Sequence, residues 1–219
     1  HTDAEDLVKR CDSCQKFAHR VHIPAQELRM IAITWPFATW GLDMVGPFKR
    51  SKDKKTRLLV AVDKFTKWVE AEPVSKCDAA TAVQFIKKVI FRFGFPHSII
   101  TDNGTNLSKG EMEEFGQHEH IWLDIASVAH PQSNGQAERA NKEILRGIKS
   151  RLLVPLQRTP SCWVEELPSV LWSITTTPNR STSYTPFSMV YRAEAVLPSD
   201  IRHDLPRVVA YVETEGNMP

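Results

Sequence analysis

An α/β fold, with a mixed five-stranded sheet flanked by helices, is predicted from three observations. Three short segments rich in β-branched and aromatic residues follow one another early in the chain. Helical and strand-like segments then alternate, and the later part of the chain carries apolar residues at helical spacing. Trp40 to Phe48, Leu58 to Asp63 and Lys67 to Val74 read as the first three strands, each bounded by turn formers. Asp78 is placed to cap a helix reaching about Phe93, in which Ala82, Val83, Ile86, Val89 and Ile90 recur on one face; Gly94 and Pro96 then end it. His97 to Thr101 reads as a fourth strand, Glu111 to His118 as a short helix and Ile121 to Ala126 as a fifth strand. A long helix follows from about Gly135 to Leu153, with Ala137, Ala140, Ile144, Leu145, Ile148 and Leu152 as its apolar stripe. Ser161 to about Thr175 reads as a further helix containing Pro168, a helical extension on the C-terminal side of the sheet.

Composition narrows the class without naming a function. The 219 residues suffice for one sizeable core, and 42% hydrophobic with 25% charged residues is ordinary for a globular protein. No run of eighteen apolar residues is present, so no membrane span or membrane partner is expected. Four cysteines are too few for a disulfide scaffold. The net charge of +2 points to no partner, but its distribution is uneven. "KRSKDKKTR", Lys49 to Arg57, has six bases and one acid between two strands; a solvated hairpin is its ordinary reading, with DNA-backbone contact or nuclear import as the other. Arg139, Lys142, Arg146, Lys149 and Arg151 concentrate charge on the long helix, where Glu143 is the one acid among them.

Three acids stand out by position. Asp43 interrupts an apolar strand, Asp102 ends another before the turn formers Asn103 and Gly104, and Glu138 lies in the first turns of the long helix with 35 residues between it and Asp102. Carboxylates brought together repel unless a cation neutralises them, and hard oxygen ligands suit Mg²⁺. Two such ions can activate an attacking oxygen and stabilise a leaving oxygen in phosphodiester displacement. Asp63 also ends an apolar run, and a turn role is expected for it. The six tryptophans fall in core-like segments and are read as packing residues.

"WGLDMVGPF", "RFGFPHSIITDNGTNL" and "SVAHPQSNGQAERANKEI" together resemble the integrases of retroviruses and of Ty3/gypsy-type long-terminal-repeat retrotransposons. "LLVAVDKFTKWVEAEPV" and "ELPSVLWSITTTPNRSTSYTPFSMVY" strengthen the resemblance, which spans about Trp35 to Leu197. It implies an RNase H-like catalytic core over 35–197, followed by a tail or linker over 198–219. It also implies a polynucleotidyl transferase that trims 3′ ends of element DNA and joins them to host DNA. Asp43, Asp102 and Glu138 would be the catalytic metal ligands for Mg²⁺ or Mn²⁺, two ions in all. Asn134, Lys142, Arg146 and Lys149 would contact DNA. Double-stranded DNA, a homo-oligomer of at least two copies and a nuclear site of action follow from the same resemblance. The alternatives are a catalytically inactive nucleic-acid-binding remnant of a retrotransposon polyprotein, or another RNase H-like nuclease.

Integrases of this kind begin with a His-His-Cys-Cys zinc domain. Cys11 and Cys14 match its second half, but only ten residues precede Cys11, so residues 1–30 are read as a truncated remnant and no zinc is expected. The absence of an initiator Met and the end at Pro219 fit a polyprotein fragment. Ser133 and Gln136 are spaced as a capping box at the start of the long helix.

Overall fold

The computed structural model describes residues 35–102, 107, 110–126, 135–153 and 159–203. The expectations for residues 1–30, including Cys11 and Cys14, and for Asn134 lie outside the described residues. Five strands form one sheet: β1 Thr39–Val45, β2 Arg57–Asp63, β3 Val69–Val74, β4 Ser98–Asp102 and β5 Trp122–Ala126. Their spatial order is β3-β2-β1-β4-β5. β1 pairs antiparallel with β2, as β2 does with β3, whereas β4 runs parallel to both β1 and β5. The sheet is therefore mixed, as the order of elements predicted. Helices α1 Ala79–Phe93, α2 Glu111–His118, α3 Gly135–Leu153 and α4 Trp163–Thr176 supply its cover, and two short helices, α5 Pro186–Tyr191 and α6 Pro198–Arg202, follow.

Alternation along the strands divides the core in two. On one face Trp40, Leu42, Leu59 and Ala61 pack with Phe85, Ile86, Val89 and Ile90 of α1 and with Met112 and Phe115 of α2. On the other, Val45, Leu58, Val60 and Val62 meet Ala137, Ala140, Ile144, Ile148 and Leu152 of α3 and Trp163, Leu167 and Val170 of α4. α3 and α4 approach so closely that a Cβ on Gly147 would lie 2.7 Å from a Val170 methyl. Among the described residues no helix is long and apolar enough to cross a membrane.

Several boundaries differ from those predicted. β1 stops at Val45 rather than continuing to Phe48, because Gly46 takes φ +137 and Pro47 has no N–H for the ladder. β3 begins at Val69; Lys67, at φ 64, instead closes the β2–β3 turn through its N–H to Asp63 O at 3.0 Å. Asp63 fills the turn role expected of it, accepting from the N–H groups of Phe37 and Thr66 and from the Thr66 hydroxyl at 3.0, 2.7 and 2.6 Å. Burial pushes its carboxyl up despite these donors. The tryptophans do not all pack: Trp40, Trp68 and Trp163 are buried, but Trp35, Trp122 and Trp172 are 53%, 68% and 43% exposed. α4 runs through Pro168, and α5 was not anticipated although Thr185, which caps it by accepting from Ser188 N–H, and Pro186 form a start signal.

Candidate active site

Asp43 lies in β1 between Leu42 and Met44, which face the α1 side of the sheet with Trp40. By alternation Asp43 faces the other side, the one that α3 covers. Its Oδ1 accepts the Met44 N–H and its Oδ2 accepts the Asn141 Nδ2–H, both at 2.7 Å. Each donor is neutral, so this pair fixes the carboxylate without cancelling its charge. Asn141 is only 8% exposed, and among the described residues its Oδ1 finds no donor.

The parallel register of β1 and β4 matches Leu42 with Thr101, and one residue further along the two strands stand Asp43 and Asp102. The Asp102 backbone pairs with Ala126 on its other side; its side chain lies outside the described residues. Glu138 sits in the first turn of α3, exposed, three residues before Asn141. The structure thus ties the helix of Glu138 directly to Asp43 and puts backbone positions 43 and 102 on adjoining strands. Among the described residues no three His, Cys, Asp or Glu side chains form a metal cluster, a statement that leaves out Asp102. The donor set itself is all oxygen, with one member held by amide donors, and so fits a hard divalent cation.

Lys142, Arg146 and Lys149 are exposed along α3, at the spacing that carries one helical surface away from Glu138. The expected capping box involves Ser133, which lies outside the described residues; the Gln136 Oε1 accepts from Lys67 Nζ at 3.0 Å. Lys67 also donates to the Lys64 carbonyl. Burial lowers the pKa of both lysines, that of Lys64 to about 8, with their mutual repulsion contributing at Lys64.

Asn141 is the site residue that sequence reasoning missed. Its signal was present: it stands four residues after Ala137 and three before Ile144, a polar side chain within the apolar stripe.

The integrase core domain family model matches residues 34–131. Over 153 residues the chain is 30% identical to the uncharacterized protein K02A2.6 of Caenorhabditis elegans, covering 67% of this chain and 11% of that protein. Over 196 residues it is 28% identical to the transposon Tf2-3 polyprotein of Schizosaccharomyces pombe, covering 88% of this chain and 14% of the polyprotein. The chain thus spans a small part of these curated relatives. In fold it is similar to the simian T-cell lymphotropic virus intasome, solved with PP2A regulatory subunit B56 gamma, at TM-score 0.62 and 21% identity over 90% of this chain and 68% of that one. It is likewise similar to the HTLV-2 integrase catalytic core domain, solved with magnesium in trimeric form, at TM-score 0.56 and 23% identity over 70% of this chain and 96% of that one. With the five-stranded mixed sheet, the family match and the transposon relatives agreeing, the chain belongs to the integrase core-domain family, on the retrotransposon side that its motifs resemble.

Proposed function

We propose that this chain is the catalytic core of a retrotransposon integrase, a divalent-metal-dependent polynucleotidyl transferase that processes 3′ ends of element DNA and joins them to host DNA. The observation that carries the reading is the Asp43–Asn141 bond of 2.7 Å, which fastens the helix bearing Glu138 beside the strand pair bearing Asp43 and Asp102. Asp43, Asp102 and Glu138 would hold Mg²⁺ or Mn²⁺, two ions in the working site. When bound, these cations lower the pKa of the attacking oxygen and stabilise the leaving oxygen.

The protein's own part is positional. Asn141 and the Met44 N–H hold the Asp43 carboxylate in one orientation, so its geometry is set before substrate arrives. Lys142, Arg146 and Lys149 bind phosphates of the DNA, and Asn134, four residues before Glu138 in the sequence, meets the reactive strand end. No covalent enzyme intermediate is required, because the nucleophile is water in trimming and a DNA 3′ hydroxyl in joining. We assign residues 35–197 to the core, and place its action in the nucleus as a homo-oligomer of at least two copies on double-stranded DNA. The magnesium of the HTLV-2 core supports the choice of cation.

Disintegration, the reversal of joining on a branched DNA, tests the reading with the least demand on other domains. Wild type is expected to resolve the branch with Mg²⁺ or Mn²⁺, and Glu138→Gln to lose at least about a hundredfold in rate while still binding DNA. Equal activity in the two proteins refutes the role of Glu138. A folded, DNA-binding wild type without activity selects the inactive remnant.

A further inference from the structure

The connection between β1 and β2 carries Lys49, Arg50, Lys52, Lys54 and Lys55 against a single acid, Asp53. Such a loop is ordinarily solvated and variable, since ordering it concentrates like charge and removes side-chain freedom. This one is fastened from within and from outside. Phe48 N–H donates to Thr56 O at 2.6 Å, Ser51 N–H to Lys55 O and Lys54 N–H to Ser51 O at 3.0 Å. The buried Ser51 hydroxyl accepts the Lys55 N–H at 3.0 Å. From α4, Trp163 donates its indole N–H to Lys49 O at 2.9 Å and stacks on Phe48 with ring centroids 4.4 Å apart, while Glu165 pairs with Lys52 at 2.9 Å. At the base, Gly46 passes so near Thr56 that a Cβ would stand 2.9 Å from its carbonyl oxygen.

What these anchors hold is uncompensated positive charge. Lys52 has its partner, but among the described residues no ion pair engages Lys49, Arg50, Lys54 or Lys55. Location gives that charge a use. The hairpin leaves the sheet at the end of β1 that follows Asp43, and Lys49 is six residues beyond that aspartate. α3 runs toward the same place: Asn141 bonds Asp43, whereas Arg151, near the far end of the helix, pairs at 3.8 Å with Glu166 in the first turn of α4, three residues from the Trp163 that holds Lys49. Lys142, Arg146 and Lys149 therefore lead from Glu138 toward the hairpin. Glu138 to Lys149 is a rise of about 16 Å along the helix, roughly five base pairs of duplex.

We infer that the β1–β2 hairpin is a second DNA-phosphate contact surface, continuing the basic line of α3 and gripping the duplex beyond the scissile end. The inference rests on the proposed transferase reading for the direction of the DNA. A rod of evenly spaced phosphates matches a fixed array of cations strung along one side of the molecule. A receptor for basic import peptides reads an extended strand, which the paired backbone of Ser51, Lys54 and Lys55 does not offer.

The test is the salt dependence of duplex binding, followed by fluorescence anisotropy of the 219-residue chain with a labelled 20-base-pair DNA between 50 and 200 mM salt. Lys49→Gln/Arg50→Gln/Lys54→Gln/Lys55→Gln is compared with Lys87→Gln/Lys88→Gln/Arg92→Gln on α1, which covers the opposite face of the sheet. The hairpin variant is expected to lower the slope of log K against log salt by about 2 to 4, near 0.9 for each phosphate no longer neutralised, and the α1 variant by less than about 0.5. An unchanged slope, or an equal effect per charge in the α1 variant, overturns the inference. Should the fourfold variant fail to fold, Lys54→Gln/Lys55→Gln spares the residues nearest the Trp163 anchor and is expected to lower the slope by about 1 to 2; no change there overturns it equally. Disintegration on the same proteins separates the two readings. A lowered slope without chemistry keeps the DNA surface and removes the transferase, and an unchanged slope with chemistry intact does the reverse.

Discussion

Asn141→Leu separates the chemistry of the site from its packing. The substitution deletes the Nδ2–H that reaches Asp43 Oδ2 at 2.7 Å while keeping a side chain of similar size in a position only 8% exposed. A hydrogen bond from a neutral donor to a carboxylate contributes about 1.5–3 kcal/mol, equivalent to roughly 10- to 150-fold in any equilibrium that needs that carboxylate oriented. Loss of an outer partner of a metal ligand typically costs about 10–100-fold in affinity, the same range. The Mg²⁺ concentration giving half-maximal disintegration is therefore expected to rise by about 10–100-fold, with most of the rate recovered at saturating Mg²⁺. Folding follows a different rule. Asn141 Oδ1 has no donor among the described residues, and leucine removes that buried oxygen together with the bond to half-buried Asp43; the two terms oppose each other, so the melting temperature is expected to change little. A folded Asn141→Leu whose Mg²⁺ midpoint lies within about twofold of wild type refutes the positioning role.

Two further outcomes concern stability. Gly147→Ala gains about 1 kcal/mol of helix propensity but sets a methyl 2.7 Å from a stiff valine, an overpacking cost of about 1–3 kcal/mol; chemical denaturation is expected to show a net loss that Val170→Ala relieves, and strict additivity of the two changes refutes the contact. Lys64, held down to about 8 in the fold against 10.5 in the unfolded chain, opposes folding while it is charged. Its contribution is present above pH 10.5 and lost as pH falls through 8. Lys64→Met should thus exceed wild type in stability by up to about 3 kcal/mol at pH 7, an advantage that shrinks toward pH 10.5; a constant difference across that window refutes it.

The strands and the long helix were legible because their periodicities are local: Leu58 to Val62 alternates between the two cores, and Ala137 to Leu152 repeats at helical spacing. Asp43 was conspicuous for the same reason, as a charge set in an apolar strand. The register that puts Asp43 beside Asp102 was not legible. Parallel pairing of β1 with β4 spans β2, β3 and α1, and nothing near either aspartate encodes it. Asn141 was visible in principle as a polar break in the α3 stripe, but its partner is 98 residues away. Long separation also hid the anchoring of the basic hairpin, since Trp163 lies 114 residues beyond Lys49. Exposed Trp122 shows the converse limit: β-propensity placed it in a strand but said nothing about which of its sides would be covered.

The division of the core also fixes an order of events during synthesis. One face of the sheet is covered by α1 and α2, made soon after the first strands. Leu58, Val60 and Val62 on the other face wait for Trp163, Leu167 and Val170, about a hundred residues later on the ribosome. Until α3 and α4 emerge, the surface carrying Asp43 is an open apolar sheet in a nascent chain. Closing that surface is thus a late step, so a chain cut or stalled before α3 would hold its five strands but lack the helix that brings Asn141 to Asp43.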